Sequence, residues 1–395
     1  TRVSGIPVIL YNALGFTVTD IAEIELDLPK APKGITVYDE KGKKVSAQLI
    51  SCTDGKARIL VEATVPATGY VVYDVRTSGT GASNISTNVN TLENSLYKIT
   101  LDKNGDIVSL TDKKNGKELV KAGKAIRLAL FTQNKSYNWP AWEVLKETTD
   151  RTPVSITDDV KITLVEDGTL RKSLCVEKRH GESVFRQYIR LYEGSRAERI
   201  DFYNEIDWQS TNALLKAEFP LNIENEKATY DLGIGSIQRG NNTETAYEVY
   251  AQYWADLTDR DGSYGVSVMN DSKYGWDKPD NHTIRLTLLH TPETRGGYAY
   301  QDHQDLGHHT FTYSLIPHQG ALDKPATVEK AEKLNQQLKA FRTEKHKGNA
   351  GKSFSFVASD NRNVLIKALK KAEETDEYVA VSYTHLRAHE TSQDL

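Results

Sequence analysis

Apolar and polar residues alternate in short runs through the first 80 positions. "IPVILYNAL", "IAEIELDL", "GITVYDE", "KARILVEATV" and "GYVVYDVRT" are rich in β-branched residues, with Gly, Pro, Asp and Lys clusters between them. A side-chain period of two predicts strands, and their spacing predicts a small antiparallel sandwich over residues 1–80. "SGTGASNIST" (78–87) is rich in Gly, Ser and Thr and reads as a linker.

Longer strands are predicted from residue 88 onward. "KNGD" and "KNGK" mark hairpin turns, because Asn-Gly tolerates positive φ angles. In "FRQYIRLYEGSRAERIDFYNEIDW", Phe185, Ile189 and Leu191 share one face, and Ile200, Phe202, Ile206 and Trp208 share another. The strand pattern persists to "HTFTYSLIPH" near residue 318, which predicts one large two-sheeted β domain over 88–345. A helix near 326–341 interrupts it. Val328, Ala331, Leu334, Leu338 and Phe341 fall three and four apart, and Pro325 stands near the start. After the basic linker "EKHKGNAGKS", residues 352–379 are ambiguous: Leu365, Leu369 and Ala372 fit a helix, while Val364, Ile366 and Ala368 fit a strand.

Composition narrows the function classes. A net charge of −4 without a basic block argues against nucleic acid. No run approaches the roughly 18 to 20 apolar residues of a membrane helix, so no membrane partner is expected. Cys52 and Cys175 cannot form a disulfide framework and leave the compartment undecided. The 20 tyrosines and five tryptophans suit strands and sugar-facing surfaces.

Three constellations carry candidate chemistry. "HQDLGHH" gathers His303, His308 and His309 with Asp302 and Asp305, residue types that suit zinc. His308 and His309 open a strand, however, and point to opposite faces, so a satisfied or substrate-facing pair is preferred and no metal is assigned. "GIGSIQRG" lacks the GKS or GKT of a phosphate loop and reads as turn glycines. "SYNWPAWEV" places Tyr137, Asn138, Trp139, Trp142 and Glu143 within seven residues. Indole platforms beside amide and carboxylate groups suit a sugar site, and equally suit a loop packed into the sandwich core. The 54 acidic residues offer many pairs of the kind glycoside hydrolysis needs, and none is singled out.

These segments bear a resemblance to a known family. "YNALGFTVTDIAEIELDLP", "LENSLYKITLDKNGDIVSLTDKKNGKELV", "YAQYWADLTDRDGSYGVSVMNDSKYGWD", "NHTIRLTLLHTP", "DHQDLGHHTFTYSLIPH" and "VLIKALKKAEETDEYV" are similar, in the same order, to segments of the bacterial α-mannosidases of glycoside hydrolase family 38. The resemblance implies an all-β chain: a small β-sandwich, a large galactose-mutarotase-like supersandwich, and a truncated C-terminal β domain over 352–379. It also implies strand for that last segment. Family members carry an upstream α/β barrel and a three-helix bundle. Their zinc, aspartate nucleophile and acid/base carboxylate lie in that upstream part, so no catalytic residue and no cofactor is expected in this chain.

By the same resemblance, Tyr137, Asn138, Trp139, Trp142 and Glu143 form a Trp-rich loop near the sugar, with Glu143 where many relatives have aspartate. "QDHQDLGHH" then places His303, Asp305 and His309 near the sugar site. The implied role is a non-catalytic region of a retaining α-mannosidase. Its partners are an α-mannoside or mannose-containing oligosaccharide and the catalytic barrel of the same parent, whether cytoplasmic or exported. Two other readings compete: a free-standing carbohydrate-binding sandwich, and a mutarotase-like enzyme using His303 with Asp305.

The tail "VSYTHLRAHETSQDL" (381–395) shows no apolar period. Its back-translation resembles a transposase mosaic end joined to a sequencing adapter, so residues 380–395 are expected to be an artefact without evolved function.

Overall fold

A computed structural model describes residues 1–28, 30–79, 86–87, 89–361 and 363–383. Most of the expected linker at 78–87 and the tail beyond Tyr383 lie outside the described residues. Strands dominate, and the only α-helix longer than one turn among the described residues is Lys324–Asn335.

The first sandwich packs the three strands Val18–Asp27, Lys56–Val65 and Ala47–Thr53 against a sheet centred on Ile6–Asn12 and Gly69–Arg76. Alternation does the work here. Val18, Ala22, Ile24 and Leu26, with Ile59 and Val61 beside them, face Val71 and Val75 in one buried cluster, while Glu23 and Glu25 point out to Arg58 and Lys56.

The second, larger sandwich has a ten-stranded sheet on one side, with Gly307–Gln319, Ile200–Trp208 and Ser183–Tyr192 at its middle. Opposite lies a six-stranded sheet built around Arg127–Phe131, Ala213–Pro220 and Thr283–Thr291. The faces read from the sequence are confirmed: Phe185, Ile189, Leu191, Ile200, Phe202, Ile206 and Trp208 all lie in the shared core. Phe219 meets Tyr313 edge-on across it at 5.7 Å. Each such buried ring stabilises the fold by about 2 kcal/mol.

The "KNGD" hairpin joins Tyr97–Leu101 to Ile107–Asp112. Of its Asn-Gly pair only Gly105 takes a positive φ, at 71°. The Asp102 carboxylate holds the turn by accepting from Asn104 N and Asp106 N. A Cβ on Gly105 would also stand 2.3 Å from Val176 Cγ1.

The helix expected near 326–341 is shorter than its apolar spacing predicts. Asp323 caps it through Ala326 N, Pro325 sits in its first turn, and it stops at Asn335. Leu338 and Phe341 are not on the helix. Residues Lys339–Arg342 are extended and pair with Ile6–Asn12, where backbone pairing with an open sheet edge outweighs one more helical turn. Ser353–Ser355 pairs with Gly69–Arg76. The chain therefore returns to the first sheet after the second sandwich is complete. Leu365–Lys371 is a strand, as the family resemblance implied, and pairs with Tyr378–Tyr383.

The six-stranded sheet has two unlike faces. Leu128, Ala217, Leu286 and Trp276 stand opposite one another across four strands and point into the core. One residue along, Arg127, Glu218, Arg285 and Asp277 form an equivalent row on the other face. Charges alternate in sign along it, and Arg285 and Asp277 are buried. Lys216, also buried, donates to Asp277 at 2.6 Å. A segment covering this face ends in a single helical turn, Lys146–Thr149, whose Thr149 carbonyl accepts from Arg285 Nη2 at 3.1 Å.

Candidate functional site: a tryptophan loop over a half-buried histidine

The covering segment begins where Arg127–Phe131 ends, and its first part is the loop 134–143. Glu143 organises it. The Oε1 atom accepts from Ser136 Oγ at 2.7 Å and from the backbone N–H groups of Tyr137, Asn138 and Trp139 at 2.6, 2.7 and 3.3 Å. Burial works to raise the Glu143 pKa, and these donors outweigh it, so the carboxyl is held below its ordinary value. The loop tip is a tight turn with Pro140 in its second position, closed by Trp142 N and Glu143 N donating to the Trp139 carbonyl. That turn drives both indoles outward: Trp139 is 62% and Trp142 90% exposed. They are not part of the sandwich core.

Beneath the tip lies His290, at the end of Thr283–Thr291. Its Nε2 is 3.1 Å from the Pro140 carbonyl and its Nδ1 is 2.9 Å from Asn134 Nδ2. Burial, only partly offset by the Pro140 carbonyl, pushes the His290 pKa below its ordinary value and favours the neutral ring. Asn134 is buried: its backbone N–H donates to Asn212 Oδ1, its amide donates to the Ala213 carbonyl, and its Oδ1 has no hydrogen-bond partner among the described residues. Arg295 stacks over the Tyr137 ring at 4.2 Å, and Tyr137 Oη donates to Glu147 at 2.8 Å.

The second predicted cluster meets the first at His290. Asp305 Oδ2 accepts from His290 N at 2.8 Å, and the Asp305 carbonyl is 2.6 Å from His309 Nε2. Asp305 does this from a left-handed backbone, with φ 58°. His303 stands apart: it is exposed, and its nearest carboxylate is its neighbour Asp302 at 3.4 Å. His308 turns to Asp207, at 2.7 Å. The three histidines thus go to three separate partners, and among the described residues no three His, Cys, Asp or Glu side chains converge as a metal site.

Seven of the eight predicted residues therefore belong to one connected surface, and His303 does not. Sequence reasoning missed His290, Asn134 and Arg295. Nothing in the local pattern marks them, since their partners lie in other segments.

The comparisons with known proteins agree with this architecture. Residues 92–294 match the model of the glycosyl hydrolases family 38 C-terminal domain. The chain belongs to this family. It is 26% identical over 408 residues to alpha-mannosidase G of Dictyostelium discoideum, covering 95% of this chain and 35% of the relative. It is also 26% identical over 310 residues to alpha-mannosidase 2C1 of Mus musculus, covering 77% of this chain and 29% of the relative. The crystal structure of an alpha-mannosidase from Enterococcus faecalis V583 superposes with a TM-score of 0.75 at 17% identity, covering 95% of this chain and 50% of that one. At that identity the likeness speaks to the fold. The chain spans about a third of the length of these curated relatives.

Proposed function

We propose that this chain is the non-catalytic β region of a larger, retaining α-mannosidase, and that its tryptophan loop supports and lines the sugar site. The observation carrying this reading is the pair of exposed indoles on a backbone held by Glu143 and His290. A bare aromatic at the tip of a loop is costly in water, and a pyranose ring offers the apolar face that repays it. Asn138, exposed in the same loop, can orient sugar hydroxyls, and Asp305 and His309 continue the surface. The bond-breaking carboxylates, and the zinc of such an enzyme, are assigned to a catalytic barrel that would pack beside this loop.

Activity and binding assays test the reading. The purified chain is expected not to turn over an aryl α-mannoside, and turnover would overturn the non-catalytic role. Joined to an upstream catalytic part, the Trp142→Ala variant is expected to raise KM roughly tenfold, the scale of a lost ring-stacking contact. Unchanged kinetics would remove the loop from the sugar site. Tight binding of mannose oligosaccharides by the chain alone, lost in Trp142→Ala, would favour a free-standing carbohydrate-binding sandwich instead.

A further inference from the structure

A cleft of about 880 Å³ opens over the polar face of the six-stranded sheet. It lies at the Arg127 end of that face, whereas the tryptophan loop leaves from the Phe131 end, about 13 Å further along the strand. Arg127, Glu218 and Arg285 line it, with Val108 on its rim and the segment 146–153 as one wall.

Two groups in this cleft have unused bonding capacity. Arg285 is 3% exposed. Its Nε donates to Asp277 at 2.9 Å and its Nη2 to the Thr149 carbonyl, yet its Nη1 makes no hydrogen bond among the described residues. Glu218 Oε1 accepts from Arg127 Nε at 3.0 Å, and Glu218 Oε2 has no donor among the described residues. These two free atoms, Arg285 Nη1 and Glu218 Oε2, are 3.9 Å apart. That gap is too long for a direct hydrogen bond. A hydroxyl oxygen seated about 2.8 Å from each closes it, accepting from the guanidinium and donating to the carboxylate.

The charge of the lining selects the class of ligand. Five basic and six acidic side chains line the cleft. A phosphate or carboxylate drawn to Arg285 would meet Glu218, and an ammonium drawn to Glu218 would meet Arg285. A neutral ligand whose hydroxyls both donate and accept meets neither conflict. No lining residue is aromatic, so such a ligand is held by its hydroxyl edge rather than by stacking.

We propose that this cleft is a saccharide-binding site, separate from the tryptophan loop, in which one ligand hydroxyl bridges Arg285 and Glu218. Selectivity then follows hydroxyl stereochemistry, because an epimer that points that hydroxyl away leaves Arg285 Nη1 and Glu218 Oε2 without a hydrogen-bond partner.

The experiment is a calorimetric titration of the 395-residue chain with mannose oligosaccharides, with crystals soaked in the same sugars. The expected result is a sugar hydroxyl between Arg285 and Glu218, with binding weakened roughly tenfold or more in Glu218→Gln, the scale of a hydrogen bond to a charged group. Val108→Trp, a rim substitution that leaves the charged row intact, is expected to abolish binding in the cleft, and Trp142→Ala to leave it unchanged. Water alone in the cleft at saturating sugar would overturn the proposal. So would binding lost in Trp142→Ala but kept in Val108→Trp, or inorganic phosphate taking the cleft in preference to sugar. The Trp142→Ala arm separates failure here from failure of the tryptophan loop.

Discussion

Glu143 gathers four donors on a single carboxylate oxygen, three of them consecutive backbone N–H groups. It therefore shapes the loop that presents the indoles, and only its second oxygen is left for a ligand. Glu143→Ala is expected to cost about 1–2 kcal/mol, read by chemical denaturation, because those donors would have to find water. The pH dependence has two windows. Glu143 has a folded pKa below its unfolded value of 4.5, so its contribution is present above that value and is lost as pH falls through the folded one. The folded pKa of His290 is likewise below its unfolded 6.5. The unfolded chain then takes up a proton first, and stability declines as pH falls below about 6.5. Denaturation midpoints followed by tryptophan fluorescence should show both steps, and His290→Asn should remove the upper one. A flat profile between pH 7 and 5 would count against the half-buried, neutral ring.

Elements were legible wherever a single face decided the outcome. Phe185 to Trp208 alternate in the sequence and in the core alike, because a strand buried on one side leaves its period in the residues. The segment 336–342 was not legible in this way. Leu338 and Phe341 continue the helical spacing of Val328, Ala331 and Leu334, and only an open edge in a distant sheet draws them out of it. A substitution tests which force holds them. Phe341 is exposed and packs on Tyr11 at 5.6 Å, and its backbone stands opposite Ile9 in the hydrogen-bonded register set by Thr343 N donating to the Pro7 carbonyl. Phe341→Pro, which loses ring and ladder bond together, should then destabilise by about 3 kcal/mol or more, and Phe341→Ala, which loses the ring alone, by less than about 1.5 kcal/mol, as measured by thermal unfolding. Equal losses would mean that the rings, rather than the pairing, hold this strand. The charged row Arg127–Glu218–Arg285–Asp277 was equally hidden. Its members read as solvated alternation until the loop that covers them is seen.

For the whole molecule, the hidden part is the contact between the two sandwiches. Arg171 donates to Glu166 at 2.6 Å and to Glu23 at 3.0 Å, and Arg196 donates to Asp20 at 2.7 Å. Gln48 Oε1 accepts from Leu170 N and Arg171 N, and Ile21, Leu60, Leu170 and Tyr192 pack beside it. Glu166 apart, these hydrogen-bonded partners are 122 to 176 residues from one another, so no local pattern announces them. Cutting one arm of a buried ion pair strands the other, which predicts a loss of about 3–5 kcal/mol for Arg196→Ala. Limited proteolysis should then release the first sandwich at protease levels that leave the parent chain whole. Unaltered digestion would show that the apolar contact alone joins the two bodies.

The return of Lys339–Arg342 to the edge of Ile6–Asn12 bears on the order of events during synthesis. The ribosome makes Val8 before the large sandwich and its partner Arg342 after the whole of it. The first sheet is therefore open-edged while the large sandwich is being made, with the seat of Leu338 unfilled. Its closure is a step of high contact order that waits for the large sandwich, and it locks the segment made after that sandwich onto the sheet made before it.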